Sequence, residues 1–402
     1  MRAYERLIEY TRYETASEEC IATCPSTGGQ RFFANRLVCD LKSMGVDNAY
    51  VDENGYVYAK IPANAEKLMG TNIGFIAHLD TVGDVEYRNV NPKVISNYDG
   101  NDILLNPEKN IVMPKMEEYK GYSLVVTDGT TLLGADDKAG IAEIMTAVER
   151  LMNDSTILHG EVSIAFTPDE EIGRGADLFS LDNFGADFAY TVDGAYHGQI
   201  EYENFNAINA KVIVNGKNVH PGEAKYGGMK NANLIAMEFI GMLPANERPE
   251  NTEGYEGFYH LMEINSGVER AELRYIIRDH DKTKIKIKRA FFEKIAEFLN
   301  TKYGKGTVEI ELCDSYENMA EKIEPHMHLI DNAVKAIEMS GGVASITPIR
   351  GGTDGARLSY MGLPCPNLGT GSGNHHGRFE FAVVEEMDRC VDTIIKIIEL
   401  YR

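Results

Sequence analysis

NIGFIAHLDTV, residues 72–82 of this 402-residue chain, joins a strand pattern to two side chains that can bind a metal. It starts as a short apolar strand and ends on His78 and Asp80. Side chains two residues apart on a strand point to the same side, so these two would lie together. One could ligate a metal while the other accepts the second ring N–H. A plain Asp–His hydrogen bond without metal is the alternative explanation of the pair.

Four further segments have a similar sequence pattern, in which carboxylate or imidazole side chains lie among small residues or after an apolar run. They are GADDKAG (134–140), PDEEIG (168–173), TVDG (191–194) and GNHHGRFE (373–380). Together the five segments offer histidine nitrogen and carboxylate oxygen without cysteine, the mixture expected of catalytic zinc, manganese or cobalt. The set therefore predicts one site for two metal ions.

Two of these segments contain adjacent carboxylates, Asp136–Asp137 and Glu170–Glu171. Acidic pairs are usually solvated loops or helix starts. The first pair, however, follows small and apolar residues in LLGADD, and the second belongs to AFTPDEE, which runs out of an apolar strand. Burial of uncompensated charge is costly. The pattern therefore favours a bound cation beside each pair.

The remaining two segments are weaker signals when taken alone. Asp193 follows a short strand-like stretch and would otherwise be an ordinary turn residue. His375 and His376 lie in a glycine-rich loop, and neighbouring histidines point in different directions. We expect one of them to ligate a metal and the other to orient it or to contact substrate. A two-histidine surface loop is the alternative.

Residues 1–205 alternate strand and helix patterns. Residues 72–77 and 162–166 are short apolar strands that lead into the HLD and PDEE segments, and apolar positions from Ile141 to Leu151 recur at helical spacing. Strands whose C-terminal ends deliver site residues in this order indicate a mainly parallel sheet covered by helices. The fold class is therefore α/β for this part of the chain.

The pattern changes after Asn206. Strands are predicted at 208–214, 259–264, 271–278 and 307–313, with helices at 233–243 and 287–299. The order β-α-β-β-α-β is that of a ferredoxin-like α+β unit. We therefore expect an inserted lid domain at residues 207–314, and a discontinuous catalytic domain formed by residues 1–206 and 315–402.

Net charge, apolar patterning and cysteine content limit the possible partners and locations of the protein. The formal net charge is −22 and no Lys or Arg cluster dominates, so nucleic acid and anionic membranes are poor partners. The first residues carry charges every few positions, unlike a secretory signal, and no apolar stretch is long enough for a membrane span. Six cysteines without framework spacing are typical of reduced thiols. We expect a cytoplasmic protein.

The motifs resemble those of a known family, the aminoacylase and peptidase T family of dizinc metallopeptidases. The resemblance covers essentially the whole length and includes NVHPGEAKYGGMKNA (218–232) and RGGTDGA (350–356). It implies an aminopeptidase that hydrolyses the N-terminal residue from short peptides, with tripeptides first among them. Two alternatives remain, an N-acyl amino acid deacylase or dipeptidase of the same family and an inactive metal-binding protein on this fold.

The resemblance also implies how the site is built. Two Zn²⁺ ions per chain, or Mn²⁺ or Co²⁺ in their place, would be held by His78, Asp136, Glu171, Asp193 and His376. Asp136 would bridge the ions, with His78 and Asp193 on the first, and Glu171 and His376 on the second. A cis peptide bond would follow Asp136.

Four other residues receive roles from the resemblance. Asp80 would orient His78, and Glu170 would be the general base. His220 would reach from the lid to stabilise the oxyanion, although a His-Pro-Gly sequence is otherwise a structural turn. Arg350 suits bidentate recognition of the peptide's C-terminal carboxylate, with a solvated surface arginine as the alternative. Short peptides are the expected partners, and a homodimer is left open.

Overall fold

A computed structural model describes residues 1–65 and 71–402, which form two compact units. The first unit is discontinuous and comprises Met1–Tyr202, Glu321–Thr347 and Thr353–Arg402. The second comprises Glu203–Ala320 and Pro348–Gly352. It is wider than the predicted range 207–314. Phe205 is fully buried against the rings of Phe258 and His280, so the chain enters this unit before residue 207.

The strands are named in chain order. Those that precede the second unit are β1 (Tyr50–Val51), β2 (Val57–Ile61), β3 (Ile73–His78), β4 (Lys93–Ile95), β5 (Ile103–Asn106), β6 (Ile111–Met113), β7 (Leu124–Val126), β8 (Val162–Thr167), β9 (Phe188–Gly194) and β10 (Gln199–Glu201). The second unit contains β11 (Asn206–Asn215), β12 (Phe258–Ser266), β13 (Arg270–Asp279) and β14 (Val308–Tyr316). The first unit then resumes with β15 (Ser345–Ile346), β16 (Asn367–Gly369), β17 (Ser372–Gly373) and β18 (Phe381–Val383).

The α-helices follow the same convention. They are α1 (Ala3–Tyr10), α2 (Gly28–Ser43), α3 (Ala135–Asn153), α4 (Leu181–Phe184), α5 (Ala224–Gly227), α6 (Ala232–Met242), α7 (Lys282–Tyr303), α8 (Ala320–Ile323), α9 (His328–Met339), α10 (Asp354–Met361) and α11 (Val384–Leu400). Single 3-10 turns occur at Glu117–Tyr119, Pro221–Glu223, Pro249–Asn251 and Glu324–His326.

The first unit is built on an eight-stranded sheet of order β1-β2-β8-β3-β9-β16-β10-β15. Its strand pairings are four parallel and three antiparallel, and the parallel ones include the central strands β8, β3, β9 and β16. Parallel strands end at the same edge, so the C-terminal residues of β3, β8 and β9 meet there. A four-stranded sheet (β17-β18-β7-β4) and a β5-β6 hairpin complete this unit.

Helix α3 begins directly beneath this edge. Its apolar residues, including Ile141, Ile144 and Val148, are buried, which confirms the predicted helical spacing. Asp136 and Asp137 have non-helical backbone angles, so the regular helix starts after them. The two carboxylates therefore lie at its N-terminal end, where the helix dipole favours negative charge.

The second unit is a four-stranded antiparallel sheet of order β12-β13-β11-β14, with α6 and α7 packed on it. Residues of β13 alternate between buried and more exposed, as a sheet with one covered face requires. The connection β-α-β-β-α-β and this strand order confirm the ferredoxin-like α+β prediction. Together with the first unit, the predicted fold class is confirmed.

Among the helices of residues 1–65 and 71–402, none combines the length and apolar composition needed to cross a bilayer.

Candidate metal centre of the first unit

The end of β3 places a histidine and an aspartate together. His78 is 2% exposed, and its Nδ1 lies 3.4 Å from Asp80 Oδ1 and 3.1 Å from the Asp80 carbonyl oxygen. The Asp80 carboxylate also accepts the backbone N–H groups of Glu170 at 3.0 Å and Glu171 at 3.1 Å. Asp80 therefore touches the His78 ring and the backbone of the second acidic pair.

Asp136 lies between two histidines. Its Oδ1 is 2.8 Å from His78 Nε2, and its Oδ2 is 3.1 Å from His376 Nε2. His375 is the other member of the histidine pair, and its Nδ1 lies 3.6 Å from Asp136 Oδ2. One carboxylate thus faces groups that come from β3 and from the loop after β17, almost 300 residues apart in the chain.

The remaining predicted ligands join the same cluster. Asp193 Oδ1 lies 3.3 Å from His78 Nε2, and Glu171 Oε2 lies 3.1 Å from His376 Nε2. The five predicted ligands therefore form two halves, His78 with Asp193 and His376 with Glu171, joined by Asp136.

Local sequence explains how the first acidic pair reaches its place. Gly134 has a φ of 77°, a left-handed conformation that glycine adopts without strain. Gly140 packs against the carbonyl oxygen of Val192, and a Cβ there would overlap that oxygen. The peptide bond between Asp136 and Asp137 is cis, as the resemblance implied. The glycines of GADDKAG thus let the loop approach β9 closely.

The second carboxylate of this pair has a backbone role. Asp137 Oδ2 accepts the N–H of His78 at 3.1 Å, and Oδ1 accepts the N–H of Gly140 at 3.1 Å. Asp137 is 1% exposed. It therefore ties the end of β3 to the first turn of α3.

Glu170 differs from its neighbours. Within residues 1–65 and 71–402, its carboxylate takes part in no hydrogen bond or ion pair, although its backbone N–H donates to Asp80. Burial raises the pKa of Glu170 well above its ordinary value, and nearby Asp354 and Asp193 raise it further. A carboxyl group in this state can take up and hold a proton.

The other site carboxylates titrate according to their neighbours. Burial, followed by the charge of Asp136, raises the pKa of Glu171 to about 7. Burial also raises the pKa of Asp193. Burial alone would raise the pKa of Asp136, but hydrogen bonds from His376 and His78 hold it well below its ordinary value. The hydrogen bonds to Asp136 and Glu171 raise the pKa of His376 to about 11.

This donor set fits a metal centre. Two groups of three donors have ligand atoms within 4.8 Å of one another: His78 with Asp137 and Asp193, and His78 with Asp136 and Glu171. Glu171 Oε1 is buried and has no hydrogen-bond partner. Buried carboxylates outnumber histidines here, and a buried negative charge without a partner is costly. Divalent cations would balance it.

Three buried acids near the centre were not given roles from the sequence. Asp169 has a φ of 60° and accepts hydrogen bonds from the Ser26 N–H at 2.8 Å and from Gln30 Nε2 at 2.7 Å. Asp354 accepts the Thr167 hydroxyl at 2.8 Å, and burial raises its pKa to about 7. Both therefore anchor the segment that carries Glu170.

Glu380 is the third of these acids. It is 2% exposed, and its carboxylate accepts backbone N–H groups of the Asp136 loop. It lies inside the segment GNHHGRFE, four residues after His376, so the acidic residue at the end of that motif was the available signal. Asp169 likewise lies inside PDEEIG and Asp354 inside RGGTDGA, so the motifs contained both residues although no role was assigned to them.

The two predicted substrate contacts, His220 and Arg350, belong to the second unit. His220 Nδ1 accepts the N–H of Gly222 at 3.2 Å. The guanidinium of Arg350 donates to the carbonyl oxygens of Gly254 at 2.7 Å and Thr252 at 3.3 Å. It also lies over the rings of Phe205 and Phe258. Arg350 thus holds the turn at 252–256 in this structure.

The fold and the histidine–carboxylate cluster define the class of protein, a metallopeptidase with an inserted α+β unit. The sequence profile of a peptidase dimerisation domain matches residues 202–307. Peptidase T from Halothermothrix orenii is 55% identical over 405 residues, which cover 100% of this chain and 99% of that protein. Peptidase T from Clostridium perfringens strain 13 is 52% identical over 403 residues, with 100% and 99% coverage. This chain belongs to the peptidase T family.

Solved structures agree on the fold. Aminopeptidase PepT from Bacillus cereus superposes with a TM-score of 0.78 at 22% identity, covering 100% of this chain and 98% of that one. A tripeptidase from Staphylococcus aureus gives 0.79 at 21% identity with the same coverage. The family resemblance and the prediction of an enzyme, a peptidase, are confirmed.

Proposed function

We propose that this enzyme removes the N-terminal residue from short peptides, tripeptides foremost, with two divalent metal ions bound in the first unit. The observation that carries the proposal is Asp136, whose two oxygens face His78 and His376 separately. A carboxylate placed between two histidine-containing donor groups suits a bridging ligand in a two-metal site. Relatives named peptidase T and a neighbour named tripeptidase support the substrate class.

The proposed ligands are His78 and Asp193 on one side and His376 and Glu171 on the other. Zn²⁺ is the proposed ion, with Mn²⁺ or Co²⁺ as substitutes that accept the same nitrogen and oxygen donors. When bound, such ions polarise a peptide carbonyl and lower the pKa of a bound water. Asp80 would orient His78, because its carboxylate lies against the ring nitrogen that faces away from Asp136.

Glu170 is the proposed general base. Its pKa is raised by burial, its carboxylate makes no hydrogen bond among the described residues, and it lies three residues after the anchored end of β8. It would take the proton of the attacking water and pass it to the leaving amine of the peptide. Asp80 holds the backbone N–H of Glu170, which would fix the direction of its side chain.

Substrate class can be tested with metal-reconstituted enzyme and a panel of peptides. We expect tripeptides to be cleaved with a higher kcat/KM than dipeptides or tetrapeptides, and tripeptides with a blocked amino group to resist hydrolysis. Cleavage of N-acyl amino acids in preference to free tripeptides would contradict the proposal. Glu143→Gln is the control variant, because it changes a buried glutamate of α3 that is not among the proposed ligands. Glu143 is fully buried, and among the described residues neither of its carboxylate oxygens has a hydrogen-bond partner.

We propose that the second unit, residues 207–314 at its core, acts as a lid that brings His220 to the oxyanion. Such a contact would form mainly in the transition state, so His220→Ala should lower kcat by about 10²–10³ with a smaller change in KM. His260→Ala, in the same unit on β12, is the control and should keep kcat within about threefold. Equal kcat in the His220 variant and wild type would remove the lid from catalysis.

Recognition of the substrate carboxylate by Arg350 requires the guanidinium to leave its present backbone acceptors. A tripeptide and its C-terminal amide distinguish the two roles of Arg350. If it binds the carboxylate, Arg350→Ala should raise KM for the acid and leave KM for the amide unchanged. If it only holds residues 252–256, both substrates should be affected equally, and the binding role would be wrong.

We further propose that the enzyme is a homodimer and is located in the cytosol. The dimerisation-domain match at residues 202–307 supports a homodimer, which light scattering after size-exclusion chromatography would test. All six cysteines are free thiols in this structure, which suits the reducing cytosol. Monomeric enzyme with full activity at micromolar concentration would argue against a functional dimer.

A further inference from the structure

Glu380 connects two loops that are far apart in sequence. Its Oε2 accepts the N–H of Leu133 at 2.9 Å and that of Gly134 at 2.6 Å, and its Oε1 accepts the N–H of Asp136 at 3.0 Å. Its own N–H donates to the carbonyl oxygen of Gly377 at 3.2 Å. One buried side chain thus engages the loop of the acidic pair, while its backbone closes the turn after the histidine pair.

Two of the three N–H groups, those of Leu133 and Gly134, precede α3, and that of Asp136 lies in its irregular first turn. The first N–H groups of an α-helix have no partner within the helix, and a side chain just before it usually accepts one. Gly134 is the residue before α3 and has no side chain for this purpose. Its φ of 77° favours glycine, so the acceptor for the Asp136 N–H comes from elsewhere. Glu380 supplies it from 244 residues away.

This arrangement bears directly on Asp136. Its backbone N–H is held by Glu380, while its carboxylate faces His78 on one side and His376 on the other. A shift of this loop would move one carboxylate oxygen away from its histidine. Because Glu380 and His376 belong to the same short turn, the contact also sets the distance between that turn and the loop.

We propose that Glu380 is a positioning residue that fixes the loop of residues 133–136, so that Asp136 is presented to both halves of the metal centre. The hydrogen bonds of the Glu380 carboxylate go to backbone N–H groups and not to the side chains of the proposed ligands. Its effect would therefore pass through the backbone of Asp136. This inference rests on the proposed two-metal function.

Glu380→Gln is the sharpest variant. The amide keeps one oxygen acceptor and replaces the other with an NH₂ donor. The oxygen would stay on the pair of N–H groups from Leu133 and Gly134, which leaves the NH₂ against the N–H of Asp136. The substitution therefore removes the contact to Asp136 with little change in size. Residues that support metal ligands typically change metal affinity by about 10–100-fold when they are altered.

The test is a titration of metal-free protein with Zn²⁺ alone, measured by isothermal calorimetry. It compares wild type with Glu380→Gln and Glu143→Gln. We expect two ions per chain in wild type, at least about tenfold weaker binding in Glu380→Gln, and unchanged binding in Glu143→Gln. Steady-state kinetics at fixed low Zn²⁺ should show a fall in kcat with KM within about threefold of wild type. Wild-type affinity in Glu380→Gln would overturn the inference. Absence of Zn²⁺ binding in wild type would instead overturn the proposed function.

Hydrogen exchange gives a second measurement that does not depend on the variant folding. In wild-type protein, the amides of Leu133, Gly134 and Asp136 should exchange as slowly as the His78 amide, which is held by Asp137. Exchange of these three amides at the rate of an exposed loop would show that Glu380 does not hold them, and the inference would fail.

Discussion

In the Asp136–Asp137 pair both carboxylates make hydrogen bonds, whereas in the Glu170–Glu171 pair only the second one does. Asp136 faces two histidines and Asp137 accepts two backbone N–H groups. Glu171 contacts His376, while the carboxylate of Glu170 makes no hydrogen bond within the described part of the chain. The two acidic pairs therefore differ in the member that is not a proposed ligand, which is Asp137 in the first pair and Glu170 in the second.

The difference lies in what surrounds the residue that is not a proposed ligand. Asp137 lies between the end of β3 and the regular part of α3, and its carboxylate accepts the N–H groups of His78 and Gly140. Glu170 sits beyond the end of β8, where the backbone N–H groups of the pair are already taken by Asp80. The carboxylate of Asp137 is therefore a structural acceptor, whereas that of Glu170 is left free for its proposed role as general base.

The largest effect should come from Asp136→Asn. The amide cannot offer anionic oxygens to both histidine-containing groups, so the two halves of the centre would separate. We expect kcat/KM to fall by more than about 10⁴-fold, as happens when residues that act as a unit lose a member. Elemental analysis should find fewer than two ions per chain. Two retained ions with substantial activity would show that Asp136 is not a bridge.

Glu170→Gln should have the next largest effect and sharpen the contrast within the second pair. Loss of a general base typically lowers kcat by about 10²–10⁴. Because the carboxylate of Glu170 makes no hydrogen bond with the proposed ligands among the described residues, the variant should still bind two ions with wild-type affinity. Measured kcat close to wild type would refute the assignment of the base.

Glu171→Gln should act on the metal instead of on proton transfer. We expect half-maximal activity to require about 10–100-fold more added metal, with partial recovery of kcat at saturation. Metal-dependence curves for the two glutamate variants therefore separate a ligand from a base. Identical curves for both variants would mean that the members of this pair are not distinct.

Asp137→Asn should have the smallest effect on activity. Asparagine keeps one acceptor, and its NH₂ would oppose the N–H of either His78 or Gly140. A buried donor left without a partner costs about 1–3 kcal/mol, so the free energy of unfolding should fall by that amount. We expect kcat to change less than about tenfold, measured with saturating metal. A loss as large as that of Asp136→Asn would mean that both members of the first pair serve the metal.

The sequence predicted the parts of this site that depend on local patterns. The apolar strand before His78 and the spacing of His78 and Asp80 placed their side chains on one side, and the structure brings them to 3.4 Å. The ferredoxin-like order could also be predicted, since each of its elements has a clear period of apolar residues.

Local patterns could not predict contacts between residues that are far apart in the chain. Asp169 meets Gln30, 139 residues away, and only the packing of α2 near the end of β8 brings them together. Asp80 was expected to orient His78, but its hydrogen bonds to the backbone of Glu170 and Glu171 depend on the parallel pairing of β3 and β8. Local periodicity carries no information on which distant strands become neighbours.

The position of β16 has a consequence for biosynthesis. This strand lies between β9 and β10 in the sheet although it comes after residue 366, and His376 and Glu380 follow it. At roughly 5–20 residues per second, a ribosome spends about 20–70 s on the chain before that strand exists. Throughout this time the nascent chain lacks the completed sheet and both histidines of the late loop, His375 and His376. With His376 as a proposed metal ligand, we expect peptide hydrolysis to begin only when translation is nearly finished. A message truncated upstream of residue 367 should yield an inactive chain that still exposes the edge of β9.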